Sequence, residues 1–307
     1  MEPWLAVELN GVQISRFPVN KGKNEVCLFR GMTAGKPKHV RILKEVQAMH
    51  QDPVHMVQIL GLQYADGEFL PLPEPKYRLE FVGDSITSGE GTVGAKGEED
   101  WISAFFSAEN TYPRMVADAL SAEYRVVSQS GWGIVTSWDG ITENKIPPFY
   151  TQVCGLLTGE RNASLGALEA YDFKAWQPDA VIINLGTNDA TAIQSAAELG
   201  KEWAGTRDIK EVEELLTQAI CDFLKVVRGC NPKAHIIWGY GMLGESFLPV
   251  IREAVETYAE QTADARIHFL QLPDTTPDTV GSRLHPGVRA HQNVARILEN
   301  YLREKLS

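Results

Sequence analysis

Four short stretches of this chain hold the residue types that acyl transfer needs. In Leu79-Glu80-Phe81-Val82-Gly83-Asp84-Ser85-Ile86-Thr87 a serine stands just beyond an apolar run. Its hydroxyl can act as a nucleophile once a base takes its proton, and Gly83 allows the tight turn that would present it. In Leu284-His285-Pro286-Gly287 a histidine is the candidate base. The other two stretches supply donors for the negative oxygen that forms when a carbonyl is attacked. One is the backbone N–H of Gly131 in Ser128-Gln129-Ser130-Gly131-Trp132-Gly133, and the other is the side-chain amide of Asn188 in Leu185-Gly186-Thr187-Asn188-Asp189. Each stretch alone is also an ordinary turn, cap or surface histidine. Nucleophile, two donors and base in one chain order are what point to chemistry.

Such groups converge only if each sits at the same edge of one sheet. Short apolar runs at residues 79–82, 124–128, 180–185, 235–239 and 266–270 read as five strands separated by helical stretches, which implies crossovers and a parallel, doubly wound sheet. Three of the four chemical stretches follow such a strand directly, and ligands of open α/β sheets bind at the carboxyl ends of the strands. A helix after Ser85 would aim free N–H groups at an anion there. Helices are expected at 112–120, capped by Thr111, at 209–227, capped by Asp208, and at about 288–306.

The first 78 residues read differently. Leu5 to Leu9 alternate, Asn10-Gly11 is a two-residue hairpin signal before Val12, Ile14 and Phe17, and the runs at 26–29, 40–43 and 56–62 are apolar and branched. Gly31, Gly35 and Asp66-Gly67 mark turns between them, so a small all-β sandwich is expected. Pro71-Leu72-Pro73-Glu74-Pro75 then breaks the pattern as a linker. The expected division is 1–75 and 76–307.

Of 307 residues, 44% are hydrophobic and 22% charged, the usage of a globular chain. A formal charge of −11 disfavours nucleic acid and anionic membrane surfaces as partners. The opening MEPWLAVELNG lacks a basic and apolar leader, and no run approaches a membrane span. The chain is expected to be soluble, cytoplasmic as given and secreted if a signal was removed. Cys27, Cys154, Cys221 and Cys230 are widely spaced with no metal-ligand pattern, so no zinc or other metal site is expected.

The order Gly-Asp-Ser, Gly, Gly-Thr-Asn-Asp and His-Pro resembles the four blocks of the SGNH (GDSL-like) hydrolases, over residues 79–307. The resemblance implies a flavodoxin-like five-stranded sheet and an esterase without a cofactor. Ser85 would attack the ester carbonyl, the N–H groups of Ser85 and Gly131 and the Asn188 amide would form the oxyanion hole, and His285 would be the base. A narrower resemblance, to carbohydrate esterase family 2, comes from the β-rich front, the Pro-rich joint, Ser130-Gly131-Trp132-Gly133-Ile134 and the ending Leu284-His285-Pro286-Gly287-Val288 with His291. It implies a jelly-roll-like front domain and removal of acetyl groups from a polysaccharide or oligosaccharide. Two alternatives stay open: an esterase or lysophospholipase for lipid or other short acyl esters, and a carbohydrate-binding protein with an inactive hydrolase domain.

Many SGNH hydrolases carry an Asp three residues before the histidine, where this chain has Ser282. Family 2 esterases are similar in often using a Ser-His dyad, and Asp278 and Asp274 are the candidate acids if the loop folds back. Trp101, Trp132 and Trp138 fall in loops of the expected active edge, where aromatic faces can pack on sugar rings. Trp132 is favoured because it adjoins Gly131. The glycine-rich stretch 89–97 is expected to be a mobile rim.

Overall fold

Asn10 and Gly11, both at positive φ (53° and 81°), close the hairpin between β1 (Trp4–Leu9) and β2 (Val12–Pro18) in the computed structural model, which describes residues 1–64 and 67–307. β3 (Val40–Lys44) pairs antiparallel on the other side of β1, giving the order β2-β1-β3. The all-β front is thus one three-stranded sheet among the described residues. Strands expected at 26–29 and 56–62 are not formed. Val26, Phe29, Ile59, Leu60 and Leu62 stay exposed there, so a strand would gain neither a buried face nor a ladder partner. Of the turn expected at Asp66-Gly67, Asp66 lies outside the described residues.

The second sheet contains β4 (Tyr77–Gly83), β5 (Ala122–Ser128), β6 (Ala180–Asn184), β7 (His235–Tyr240) and β8 (Ile267–Gln271), all parallel and ordered β5-β4-β6-β7-β8. All five lie where apolar runs announced them. Every residue of β6 is buried, and alternate side chains enter different cores: Val181 and Ile183 on one face, Ala180 and Ile182 on the other. Burial on both faces is what a central parallel strand requires, and each large apolar side chain contributes about 1.5–3 kcal/mol.

The helices are α1 (Ser85–Ser88), α2 (Tyr112–Ala119), α3 (Glu160–Ser164), α4 (Thr187–Glu198), α5 (Ile209–Cys230), α6 (Leu248–Thr262) and α7 (Val288–Lys305). Leu216, Ile220 and Phe223 of α5 and Ile251 and Val255 of α6 fill the core on one face. Val116 of α2 and Val294, Leu298 and Leu302 of α7 fill the core on the other. Asp208 caps α5 through Lys210 N–H at 2.9 Å. Thr111 does not cap α2 with its side chain, because its hydroxyl donates to the Ala108 carbonyl instead.

The front sheet is joined to the parallel-sheet unit by charge and by packing. Glu8 of β1 pairs with Arg41 of β3 and with Arg114 of α2, while buried Glu45 accepts from Arg16, Ser107 and the Glu109 N–H. Carboxylates so far from water are tolerable only when fully partnered. Val46 and Met49 pack on Phe106 beside them.

Candidate active site

β4 and β6 are neighbours, yet the chain leaves them toward opposite ends of the sheet, so a crevice opens at their carboxyl ends. Gly83 is in register with both Ser128 and Asn184, which brings the three post-strand loops to one level. Ser85 follows β4, Gly131 follows β5, and Asn188 lies in the first turn of α4 after β6.

His285 reaches over this edge from the loop before α7. Its Nε2 is 3.0 Å from Ser85 Oγ, and its Nδ1 is 2.8 Å from the Arg283 carbonyl. A carbonyl can only accept, so Nδ1 carries the proton in the neutral ring and the Nε2 lone pair faces the serine hydroxyl. Ser85 is 5% exposed. Arg283 and Leu284 are both left-handed (φ 53° and 57°), a conformation that non-glycine residues adopt only when held. The holding groups are evident. Arg283 donates its N–H to the Glu98 carbonyl at 2.7 Å, and its guanidinium donates to Glu90 Oε1 at 2.8 Å and to the Glu99 carbonyl at 2.5 Å. Buried Glu90 also lies 3.9 Å from His285 Nε2.

On the donor side, Gly131 is left-handed (φ 79°), and the exposed Trp138 ring lies where a side chain at that position would go. Only glycine fits both the turn and the contact. The loop beyond it is clamped by Asp189, whose fully buried carboxylate accepts the N–H groups of Ile134, Val135 and Thr136 at 2.8, 2.8 and 3.0 Å. Burial raises the Asp189 carboxyl, and those three donors oppose the rise. Burial likewise pushes Asp84 up to about 7, against the Ile86 N–H that it accepts.

Asn188 Nδ2 reaches the same point but is already engaged, donating to Asp84 Oδ2 and to the Trp132 carbonyl, each at 3.1 Å. It therefore ties the three loops together at rest, and an oxyanion would have to compete for its protons. Substituting Asn188 by alanine should lower kcat by about 10² to 10³, the usual loss for one oxyanion donor. It should also lower the melting temperature by a few degrees, because a buried carboxyl loses a partner at about 1–3 kcal/mol. Steady-state kinetics with a thermal scan separates the two effects, and an unchanged kcat would leave Asn188 as a tie alone.

The sequence matches the GDSL-like Lipase/Acylhydrolase family over residues 79–298, most of the chain and all of the site just described. The chain belongs to this family. Among solved structures, this GDSL-like hydrolase is similar to an acetyl xylan esterase from the rumen bacterium Butyrivibrio proteoclasticus, with 44% identity, a TM-score of 0.89, and coverage of 99% of this chain and 84% of that one. It is also similar to a family two carbohydrate esterase from Clostridium thermocellum in complex with cellohexaose, with 25% identity, a TM-score of 0.82, and coverage of 99% and 86%. The cellulase/esterase CelE of Acetivibrio thermocellus is 27% identical over 99% of this chain, which spans only 34% of that relative's length. As a member of its family the protein is a carboxylic ester hydrolase.

Several side chains of the GDSL-like hydrolase lie elsewhere than their sequence positions suggested. Trp132 is 4% exposed and packs on Phe149 with ring centroids 5.1 Å apart, so its face is not free for a sugar. The exposed ring beside Gly131 is Trp138, at 57%. Asp278 is exposed, and Asp274 accepts the N–H groups of Gly244 and Thr275. The Nδ1 position an acid would occupy belongs to the Arg283 carbonyl. Ser282, at the usual acid position, turns its hydroxyl to the Val93 carbonyl.

The expected rim is buried in its first part: Gly91 has no room for a side chain, with Ser282 and His285 atoms within 2.6 Å of where one would begin, and exposure starts at Gly94. The helix after Ser85 is a single turn, too short for a helix dipole to matter. His291 is fully buried, accepts the Tyr112 N–H through Nδ1 and is pushed down to about 3 by burial, so it is a structural group. Among the described residues no cluster of three or more potential ligands could hold a metal, and no helix is long and apolar enough to cross a membrane.

Proposed function

We propose that this hydrolase removes O-acetyl groups from carbohydrates through an acetyl-enzyme on Ser85. The observation that carries the proposal is the 3.0 Å contact between Ser85 Oγ and a His285 imidazole whose other nitrogen is held by a carbonyl. Ser85 Oγ attacks the acetyl carbonyl carbon as its proton passes to Nε2. The oxygen that becomes negative is met by the Ser85 and Gly131 N–H groups and by the Asn188 amide. As the tetrahedral carbon collapses, the C–O bond to the sugar breaks, and the leaving oxygen takes the proton from Nε2. Water then repeats the sequence on the acetyl-enzyme, giving its proton to Nε2, releasing acetate and restoring the serine. The Arg283 carbonyl, accepting from Nδ1, orients the ring and stabilises the imidazolium at each stage, part of the work an Asp does in a triad.

The names of the relatives, an acetyl xylan esterase and a carbohydrate esterase crystallised with cellohexaose, support sugar esters as the substrate class. The exposed Trp138 ring at the mouth of the site suits a sugar face. Residues 1–75 are read as a unit packed on the hydrolase unit, 76–307. The test is release of acetate from acetylated xylan and acetylated glucomannan, beside turnover of 4-nitrophenyl acetate and octanoate. The expected result is acetate release from at least one polysaccharide, with the acetyl ester turned over at least about tenfold faster than the octanoyl ester. A preference for the octanoyl ester with no acetate release would transfer the enzyme to the lipid-ester reading.

A further inference from the structure

The turn that carries Gly131 is gripped from outside the hydrolase unit. Gln47, three residues beyond the end of β3, accepts two hydrogen bonds at the single atom Oε1: from the Ser130 N–H at 2.8 Å and from Ser130 Oγ at 3.1 Å. His50 packs its ring edge-on to Trp132, with centroids 4.9 Å apart. One contact from the front segment thus holds the residue before Gly131 and another holds the residue after it.

The Gly131 N–H belongs to the peptide that joins it to Ser130. Rotation about the Ser130 backbone would swing that N–H away from the Ser85 carbonyl adduct, and a left-handed glycine with no side chain offers little resistance. Two donors of Ser130 tied to one oxygen fix both its backbone and its side chain. We propose that Gln47 is a positioning residue of the oxyanion hole, so that the front unit contributes to the chemical step itself and not only to substrate access. This rests on the reading of Ser85 as nucleophile and Gly131 as donor.

The test uses the full chain and the small ester 4-nitrophenyl acetate, for which polysaccharide binding plays no part. Gln47→Met keeps the side chain's length and removes the acceptor. Because the donor is misaligned rather than deleted, kcat should fall about tenfold, short of the 10² to 10³ of a lost donor, with KM within about twofold. Inhibition by methylboronic acid, which forms a tetrahedral anionic adduct on an active serine, should weaken by the same factor. Ser130→Ala, which removes one of the two donors and leaves Gln47 alone, should give a smaller loss of the same kind. A purely structural role for Gln47 would reduce the amount of active protein and leave the boronate constant unchanged, and that result overturns the proposal, as does a wild-type kcat in Gln47→Met. Ser85→Ala run alongside separates the levels: if it stays active, the nucleophile reading fails, whereas an inactive Ser85→Ala with an unaffected Gln47→Met removes only the role of Gln47.

Discussion

Replacing Ser85 by alanine should lower kcat on 4-nitrophenyl acetate by about 10⁵ to 10⁶, the scale on which loss of a serine nucleophile acts in hydrolases whose residues work as a unit. The melting temperature should move by no more than a few degrees. The substitution deletes one hydroxyl, whose described side-chain partner is His285 Nε2, and leaves the strand-to-turn backbone untouched. What remains of the rate comes from the oxyanion donors acting on a water molecule. Turnover above a few per cent of wild type in a rigorously purified variant would remove Ser85 from its role.

His285→Ala should approach the same loss, at least about 10⁴, because the serine then has neither a base to take its proton nor an acid to return it to the leaving sugar. The contrast with the carboxylates is the informative part. In a true triad, removing the Asp costs about 10⁴ in kcat. Here a main-chain carbonyl holds Nδ1, and no side-chain substitution at 278 or 274 touches it. Asp278→Ala and Asp274→Ala should therefore each cost less than about tenfold. Kinetics of the three variants under one set of conditions check this, and a loss of several thousandfold at either Asp with the fold retained would reveal a displaced triad.

The strands of the parallel sheet were legible because their residues must be buried on both faces, which writes continuous apolar runs such as Ala180–Asn184 into the chain. Ser85, Gly131, Asn188 and His285 were legible because each follows or faces a strand end, and the structure brings all four to one edge. α4 was less so. It begins inside Thr187-Asn188-Asp189, residues that favour turns and caps when read locally.

The support of His285 had no side-chain signature at all. It is a carbonyl, and the left-handed pair that aims it is Arg283 and Leu284, neither of which announces positive φ as glycine would. Glu90 sat in a glycine-rich stretch that reads as a loop rim, and only the fold shows it buried against Arg283. Trp132 and Trp138 show a different limit, since adjacency to Gly131 in sequence says nothing about which ring points outward. The grip of Gln47 on Ser130 spans 83 residues, beyond any local pattern. In the front sheet, branched apolar runs at 26–29 and 56–62 had strand propensity without the partner strands that turn propensity into structure.

Peptide mapping by mass spectrometry after treatment with diethyl 4-nitrophenyl phosphate identifies the nucleophile, because an activated serine takes up the diethylphosphoryl group, releases 4-nitrophenolate and keeps the label. A single diethylphosphoryl group should appear on the peptide that contains Ser85, in step with loss of esterase activity. It should be absent from Ser85→Ala and slowed by orders of magnitude in His285→Ala. Modification of a different residue in step with inactivation, or full inactivation with Ser85 unmodified, would show that Ser85 is not the nucleophile.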